Sequence, residues 1–115
     1  MPVNYAKLRL ITALQAVEQT IALLDLALDD NPSPDLALEL EDKKNDLELL
    51  RSKLQAQLDQ MNNGAIVVPA PNPGALAHLN DLLAQVNQAT LNGSTAQAKL
   101  ALAGKIFSAG LTVLR

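Results

Sequence analysis

The sequence contains no cysteine and no tryptophan, and its only aromatic side chains are Tyr5 and Phe107. Without cysteine there is no disulfide framework, no thiolate metal site and no cysteine nucleophile. With so few aromatic residues, a core must be built from Leu, Ala, Ile and Val, which hold helices together but specify a single packing less sharply. Apolar residues still make up 49% of the 115 positions. The composition is therefore that of a folded chain and not of a disordered one.

The sequence also has no excess of basic residues, since its net charge is −3. This balance argues against a nucleic-acid-binding protein. The charges are unevenly placed: residues 1–62 carry six basic and eleven acidic side chains, whereas residues 63–115 carry three basic and one acidic. The two parts of the chain therefore attract each other weakly.

The beginning of the sequence, "MPVNYAKLRL", lacks the basic stretch and apolar core of a secretory signal. Apolar residues do not run uninterrupted for about 18 positions anywhere, so we expect no ordinary transmembrane helix. The simplest expectation is a cytoplasmic protein, and export by a signal-independent route stays open.

Two long helices are predicted before residue 62. Aliphatic residues recur at alternating spacings of three and four over about residues 4–28 and 34–61, which is typical of one face of a helix. Between the two segments, "NPSPD" contains prolines that cannot continue the first helix, while Ser33 and Pro34 suit the start of the second. Because the connection is short and the helices are similar in length, we expect an antiparallel hairpin. Apolar residues outside the narrow seam indicate that the first helix contacts more than one neighbour.

A proline-rich segment at residues 63–72 precedes two shorter helices, predicted at about 73–91 and 95–114. In an extended polyproline conformation it spans up to about 31 Å, enough to run back along the hairpin and start the third helix in the direction of the second. Its apolar "AIVV" favours packing against protein. We therefore expect a crossover within one helical domain, residues 1–115, with an all-α four-helix bundle fold. The alternative is a flexible hinge between two hairpins, which invites domain swapping.

The fourth predicted helix confines its polar side chains to a narrow strip, and its apolar arc is about twice the usual width of roughly 100°. Such a helix needs burial on several sides, so we expect it at the centre of the bundle. Ala101 and Gly104 lie on its polar side, where they would allow another backbone to approach. Lys99 lies inside the apolar arc, where its amine can extend toward solvent.

No residue pattern predicts a catalytic, cofactor or metal site. The lone histidine, His78, falls near Asp81 on the polar side of the third helix, and one histidine cannot supply the paired ligands of a di-iron bundle. Zinc-binding spacings and glycine-rich phosphate loops are absent. The charged run "ELEDKKNDLELLRSK" is best explained as a solvated helix face, with Glu39–Lys43 and Glu48–Arg51 as favourable pairs.

We therefore predict a non-enzymatic helical interaction module that packs its apolar helix faces against another helical protein or a copy of itself, most simply as a homodimer. The candidate contact residues are leucines outside the helix seams: Leu23, Leu26, Leu38, Leu49 and Leu58. The competing possibility is that the third and fourth helices already cover them.

Two other hypotheses remain. One is a membrane-active or membrane-sensing protein that releases its C-terminal helix to insert into a bilayer, which we rank below protein binding because that helix carries little charge. The other is a carrier of an apolar ligand, which requires a cavity that the sequence alone does not reveal.

Overall fold

A computed structural model describes the backbone of residues 5–63, 73–92 and 95–113, and the side chains of residues 7–63, 77–90 and 95–113. Its helices are α1 (Tyr5–Asp29), α2 (Pro34–Asn62), α3 (Pro73–Asn92) and α4 (Ala96–Val113). They pack against one another as an all-α four-helix bundle, and this confirms the predicted fold class. Each helix begins and ends within one residue of its predicted bounds.

Local capping explains where the helices start and stop. Asn31, with φ of 53°, adopts the left-handed conformation just after α1, which asparagine tolerates better than most residues. The Ser33 hydroxyl accepts a hydrogen bond from the Leu36 amide at the start of α2, as predicted. At the start of α4 the cap is Thr95, whose Oγ1 accepts from the Ala98 amide at 3.1 Å. The sequence also favours Gly64 as the residue that ends α2 and Ser94 as a cap of α4, and both positions lie outside the described residues.

α1 contacts each of the other three helices, and α4 does the same, whereas α2 and α3 make no contact with each other across the described residues. The predicted need of α1 for several neighbours is thus confirmed. Three of the four helices contribute fully buried leucines to the shared core: Leu10, Leu23, Leu24, Leu40, Leu47, Leu50, Leu54 and Leu82.

The helices alternate in direction along the chain. Asp25, near the end of α1, is paired with Lys44 in the first half of α2, so these two helices are antiparallel. Arg9 near the start of α1 lines a common cavity with Leu79 near the start of α3 and Val113 at the end of α4. α3 therefore starts at the end of the bundle where α2 stops, and it runs opposite to α2.

α3 does not run in the same direction as α2, which the expected crossover would have allowed, and the crossover itself stays a prediction. Because α2 ends and α3 begins at the same end of the bundle, the connection has no need to return along the helices. Residues 64–72 themselves lie outside the described residues.

α1 is more apolar than the sequence analysis allowed. Its stretch Lys7–Asp29, with a mean hydropathy of 1.3, is long and apolar enough to cross a membrane by length and composition, which corrects the earlier expectation. However, 61% of this window is buried inside the bundle, and a central core helix passes the same test. Its two buried threonines are satisfied within the helix, since Thr12 Oγ1 donates to the Leu8 carbonyl at 2.8 Å and Thr20 Oγ1 donates to the Ala16 carbonyl at 2.6 Å.

Candidate interaction surface and cavity

The five predicted contact leucines divide into two groups. Leu26, Leu38 and Leu49 are 47%, 61% and 59% exposed, so they are available at the surface. Leu23 and Leu58 are 0% and 9% exposed, and these two are wrong as surface contacts in this structure. The competing possibility, coverage by the bundle itself, therefore holds for two of the five.

The burial of Leu23 follows from the position of α1. A helix that packs against three neighbours buries a much broader arc than the seam of a two-helix hairpin, and Leu23 falls within that arc. Leu58 lies on the inner side of α2, in line with the buried Leu47 and Leu54. Which leucine outside the seam is covered thus depends on where the later helices dock.

The exposed Leu49 belongs to a shallow groove between α2 and α4. Leu49 and Leu50 line it from α2, together with the charged Asp46 and Lys53, and Phe107 and Leu111 line it from α4. We call these six residues the α2–α4 groove. Its volume of about 60 Å³ is far below that of small-molecule sites, so it suits a protruding side chain of a protein and not a free ligand.

Leu111 and Phe107 are the residues of this groove that the sequence analysis missed. Both lie on the broad apolar arc of α4, for which burial on several sides was expected, yet Leu111 is 45% exposed and Phe107 only half-buried. The signal was the unusual width of that arc, which exceeds what three helices can cover. Sequence alone did not indicate which edge of the arc would be left open.

Charges around the groove are arranged differently from the predicted pairs. Lys43 Nζ lies 5.1 Å from the centre of the Phe107 ring, within the range of a cation–π contact. The same amine is 3.9 Å from Asp46 Oδ2, an exposed and weak ion pair. Neither Glu39–Lys43 nor Glu48–Arg51 is within ion-pair distance, because Lys43 is directed toward α4.

One ion pair connects the two long helices. Lys44 Nζ lies 2.6 Å from Asp25 Oδ1, and this hydrogen bond, with the charge of Asp25, raises the pKa of Lys44 above 10.5. The amine therefore stays charged over the whole physiological range. The pair joins α1 to α2 at the surface, where an ion pair contributes little to stability, and it is not part of the groove.

On the other side of α4 lies a larger cavity of about 520 Å³. Its wall includes Arg9 from the start of α1, His78 and Leu79 from α3, and residues from Ala101 to Val113 of α4. We call this space the α1–α3–α4 cavity. His78 is exposed, and its expected neighbour Asp81 instead accepts a hydrogen bond from Gln85 Nε2 at 2.9 Å.

Across the described parts of the chain, no three His, Asp or Glu side chains are grouped closely enough to hold a metal ion. Comparisons of the chain with protein-family models, curated proteins and solved structures gave no match. Its function therefore has to be inferred from the chemistry of its own surfaces, the α2–α4 groove and the α1–α3–α4 cavity.

Proposed function

We propose that this chain is a non-enzymatic helical interaction module that associates with a second copy of itself through the α2–α4 groove. The observation that carries the proposal is the position of Leu49 and Leu111, two exposed leucines on different helices that line one groove. Adjacent exposed apolar side chains with a polar rim are typical of a protein-binding surface.

The charges beside Leu49 favour a second copy as the partner. Asp46 and Lys53 both line the groove and carry opposite charges. They are equally distant from the midpoint between Leu49 and Leu50. When two copies of α2 pack antiparallel about a two-fold axis through that midpoint, Asp46 of each copy lies opposite Lys53 of the other. Such self-complementarity is what an isologous interface requires.

The outer face of α2 extends this surface beyond the groove. Leu38 is exposed and precedes Leu49 by eleven residues, which is about three helical turns, so both lie on the same side of α2. α2 is 29 residues long and therefore about 43 Å in length. Two copies that pack along the whole of this helix can bury the roughly 1,200–2,000 Å² of surface that is typical of stable protein interfaces.

Light scattering combined with sedimentation across a range of concentrations tests the proposal. The wild-type chain is expected to reach twice its 12.2 kDa mass. Leu49→Gln should raise the dissociation constant of the dimer at least about a hundredfold, because both copies lose a buried leucine worth about 1.5–3 kcal/mol. A wild type that stays monomeric at its highest soluble concentration would overturn the proposal.

Leu26→Gln is the matched control, since it exchanges an exposed leucine of similar accessibility on the outer face of α1. It should leave the dimer intact. If Leu26→Gln dissociates the dimer and Leu49→Gln does not, the interface lies on α1 and the assignment of the α2–α4 groove is wrong.

The charge argument has its own test. Exchange of the two signs, Asp46→Lys together with Lys53→Asp, preserves complementarity across the two-fold axis, whereas Asp46→Lys alone places like charges opposite each other. The double variant should therefore associate more tightly than the single one. Equal weakening in both would contradict the two-fold arrangement.

The proposal places this self-association in the cytoplasm and away from membranes. Flotation with anionic lipid vesicles measures the membrane alternative. We expect the chain to stay in the bottom fraction. If the wild-type chain floats with the vesicles and the Leu111→Glu variant does not, membrane binding replaces self-association as the proposed function.

A further inference from the structure

The α1–α3–α4 cavity combines positive charge with an apolar wall. Three basic side chains line it, Arg9, His78 and Lys105, together with the hydroxyl-bearing Ser108 and Thr112. No acidic side chain is among the described residues of its wall. In a chain with a net charge of −3, this is a local concentration of positive charge at a concave surface. Such a surface attracts anions.

Two basic side chains of the cavity have no ion-pair partner among the residues that the structure describes. Arg9 and Lys105 form no ion pair with any described residue, in contrast to Lys43 and Lys44 on α2. Arg9 Nε is moreover buried and donates no hydrogen bond to a described residue. A buried donor without an acceptor is costly, so a bound anion that accepts from it gains the interaction and removes the cost.

The remaining wall is apolar. Leu79, Ala101, Ala109 and Val113 contribute aliphatic surface beside the basic groups. Gly104 also lines the cavity, and a Cβ added there would meet no atom within 4 Å, which shows that the space beside the helix is open. At about 520 Å³ the cavity falls in the range of small-molecule sites, and it is larger than an inorganic anion needs.

We propose that the α1–α3–α4 cavity binds a small organic carboxylate with an aliphatic body, of the size of a medium-chain fatty acid. The guanidinium of Arg9 pairs with the carboxylate, since its fork of donors matches the two carboxylate oxygens. Lys105 adds a second positive charge at the rim, and the aliphatic body lies against Leu79, Ala109 and Val113. This binding is independent of self-association, because the cavity and the α2–α4 groove lie on different sides of α4.

Titration calorimetry with three probes separates the contributions of charge and apolar body. Octanoate carries both, octanol carries only the body, and acetate carries only the charge. We expect saturable binding of octanoate, with octanol and acetate each at least about tenfold weaker. Equal binding of octanoate and octanol would reduce the site to an apolar crevice. Equal binding of octanoate and acetate would mean that the site is a nonspecific basic patch, and either result would overturn the proposal.

Two variants test the location of the site, one by removing a charge and the other by filling the cavity. Arg9→Gln removes the charge and should weaken octanoate about tenfold or more without changing the weak binding of octanol. Gly104→Leu fills the open space and should abolish binding of octanoate and octanol alike. Helical circular dichroism and the thermal midpoint show that each variant is folded.

Arg51→Gln is the matched control, because Arg51 is an exposed arginine on α2, outside the cavity. It should bind octanoate like the wild type. Absence of saturable octanoate binding to the wild type at millimolar concentration, or equal loss in Arg9→Gln and Arg51→Gln, would overturn the proposal.

Discussion

The two sides of α4 are packed in opposite ways. Toward α2, the helix approaches so closely that a Cβ added at Gly110 would lie 2.6 Å from Cδ2 of Leu50. Toward α3 and the start of α1, the same helix leaves an open cavity, and a Cβ added at Gly104 would touch nothing. The two glycines, six residues apart, therefore differ in their surroundings. Gly110 leaves room for the side chain of Leu50, whereas Gly104 borders an open cavity.

This difference shows that the apolar residues of α4 are not all buried to the same extent, although they cover a wide arc of the helix. Ile106 and Ala103, which flank Gly110 on the helix surface, are almost fully buried, whereas Leu111 is 45% exposed. The comparison predicts that substitutions on the α2 side affect the free energy of unfolding more than those on the cavity side.

The largest effect is expected from Leu50→Ala. Leu50 is fully buried against α4, so its truncation should lower the free energy of unfolding by about 2–5 kcal/mol. Urea denaturation at low protein concentration measures it. Leu49→Ala, the same substitution at the exposed neighbouring position, should cost less than about 1 kcal/mol. Equal losses would show that α4 is not packed on α2 as described.

Gly110→Ala should come next, lowering the free energy of unfolding by up to about 2 kcal/mol. The methyl group collides with Leu50, and such overpacking costs about 1–3 kcal/mol, partly offset by the roughly 1 kcal/mol by which alanine exceeds glycine in a helix. In a Leu50→Ala background the collision is gone, so the same substitution should become stabilising. A double-mutant cycle measures this reversal, and simple additivity would contradict it.

In the wild-type background, Gly104→Ala should raise the free energy of unfolding, whereas Gly110→Ala should lower it. Because no atom opposes its methyl group, the helix-propensity gain is not offset, and the free energy of unfolding should rise by about 0.5–1 kcal/mol. Thermal unfolding followed by circular dichroism detects this as a higher midpoint. A lower midpoint would mean that the cavity side is closed in solution.

The smallest effect is expected from Ser108→Ala on the exposed cavity side. Its side chain lines the cavity without filling it, so the free energy of unfolding should change by no more than about 0.5 kcal/mol. Urea denaturation is again the measurement. A loss comparable to that of Leu50→Ala would remove the contrast between the two sides.

The helix bounds could be predicted because their signals are local. The sequence places the second helix at about 34–61 and the structure at Pro34–Asn62, since Ser33 and Pro34 act within one turn of the helix start. The single charged residue inside the apolar arc, Lys99, is 5% exposed and thus lies where the periodicity put it. Periodicity also predicted correctly that α1 needs several neighbours.

The direction of α3 and the exposed contact residues could not be predicted, because they depend on contacts between distant parts of the chain. Leu23 and Leu26 both lie outside the seam, and only the docking of later helices decides that the first is buried and the second exposed. The close approach expected at Gly104 is likewise not observed there, and the neighbouring helix instead approaches Gly110, which the sequence analysis did not single out. The cavity arises from three helices and has no signature within any one of them.

The central position of α1 has a consequence during synthesis. α1 is the helix around which the other three pack, and it leaves the ribosome before any of them. Between Asp29 and Val113 lie 84 further residues, so at about 5–20 residues per second its apolar face waits roughly 4–17 s for the last partner. During that interval α2 and then α3 become available to cover part of it, but α4 does not. The nascent chain is therefore expected to engage a cellular chaperone at α1 until α4 has emerged and folded onto it.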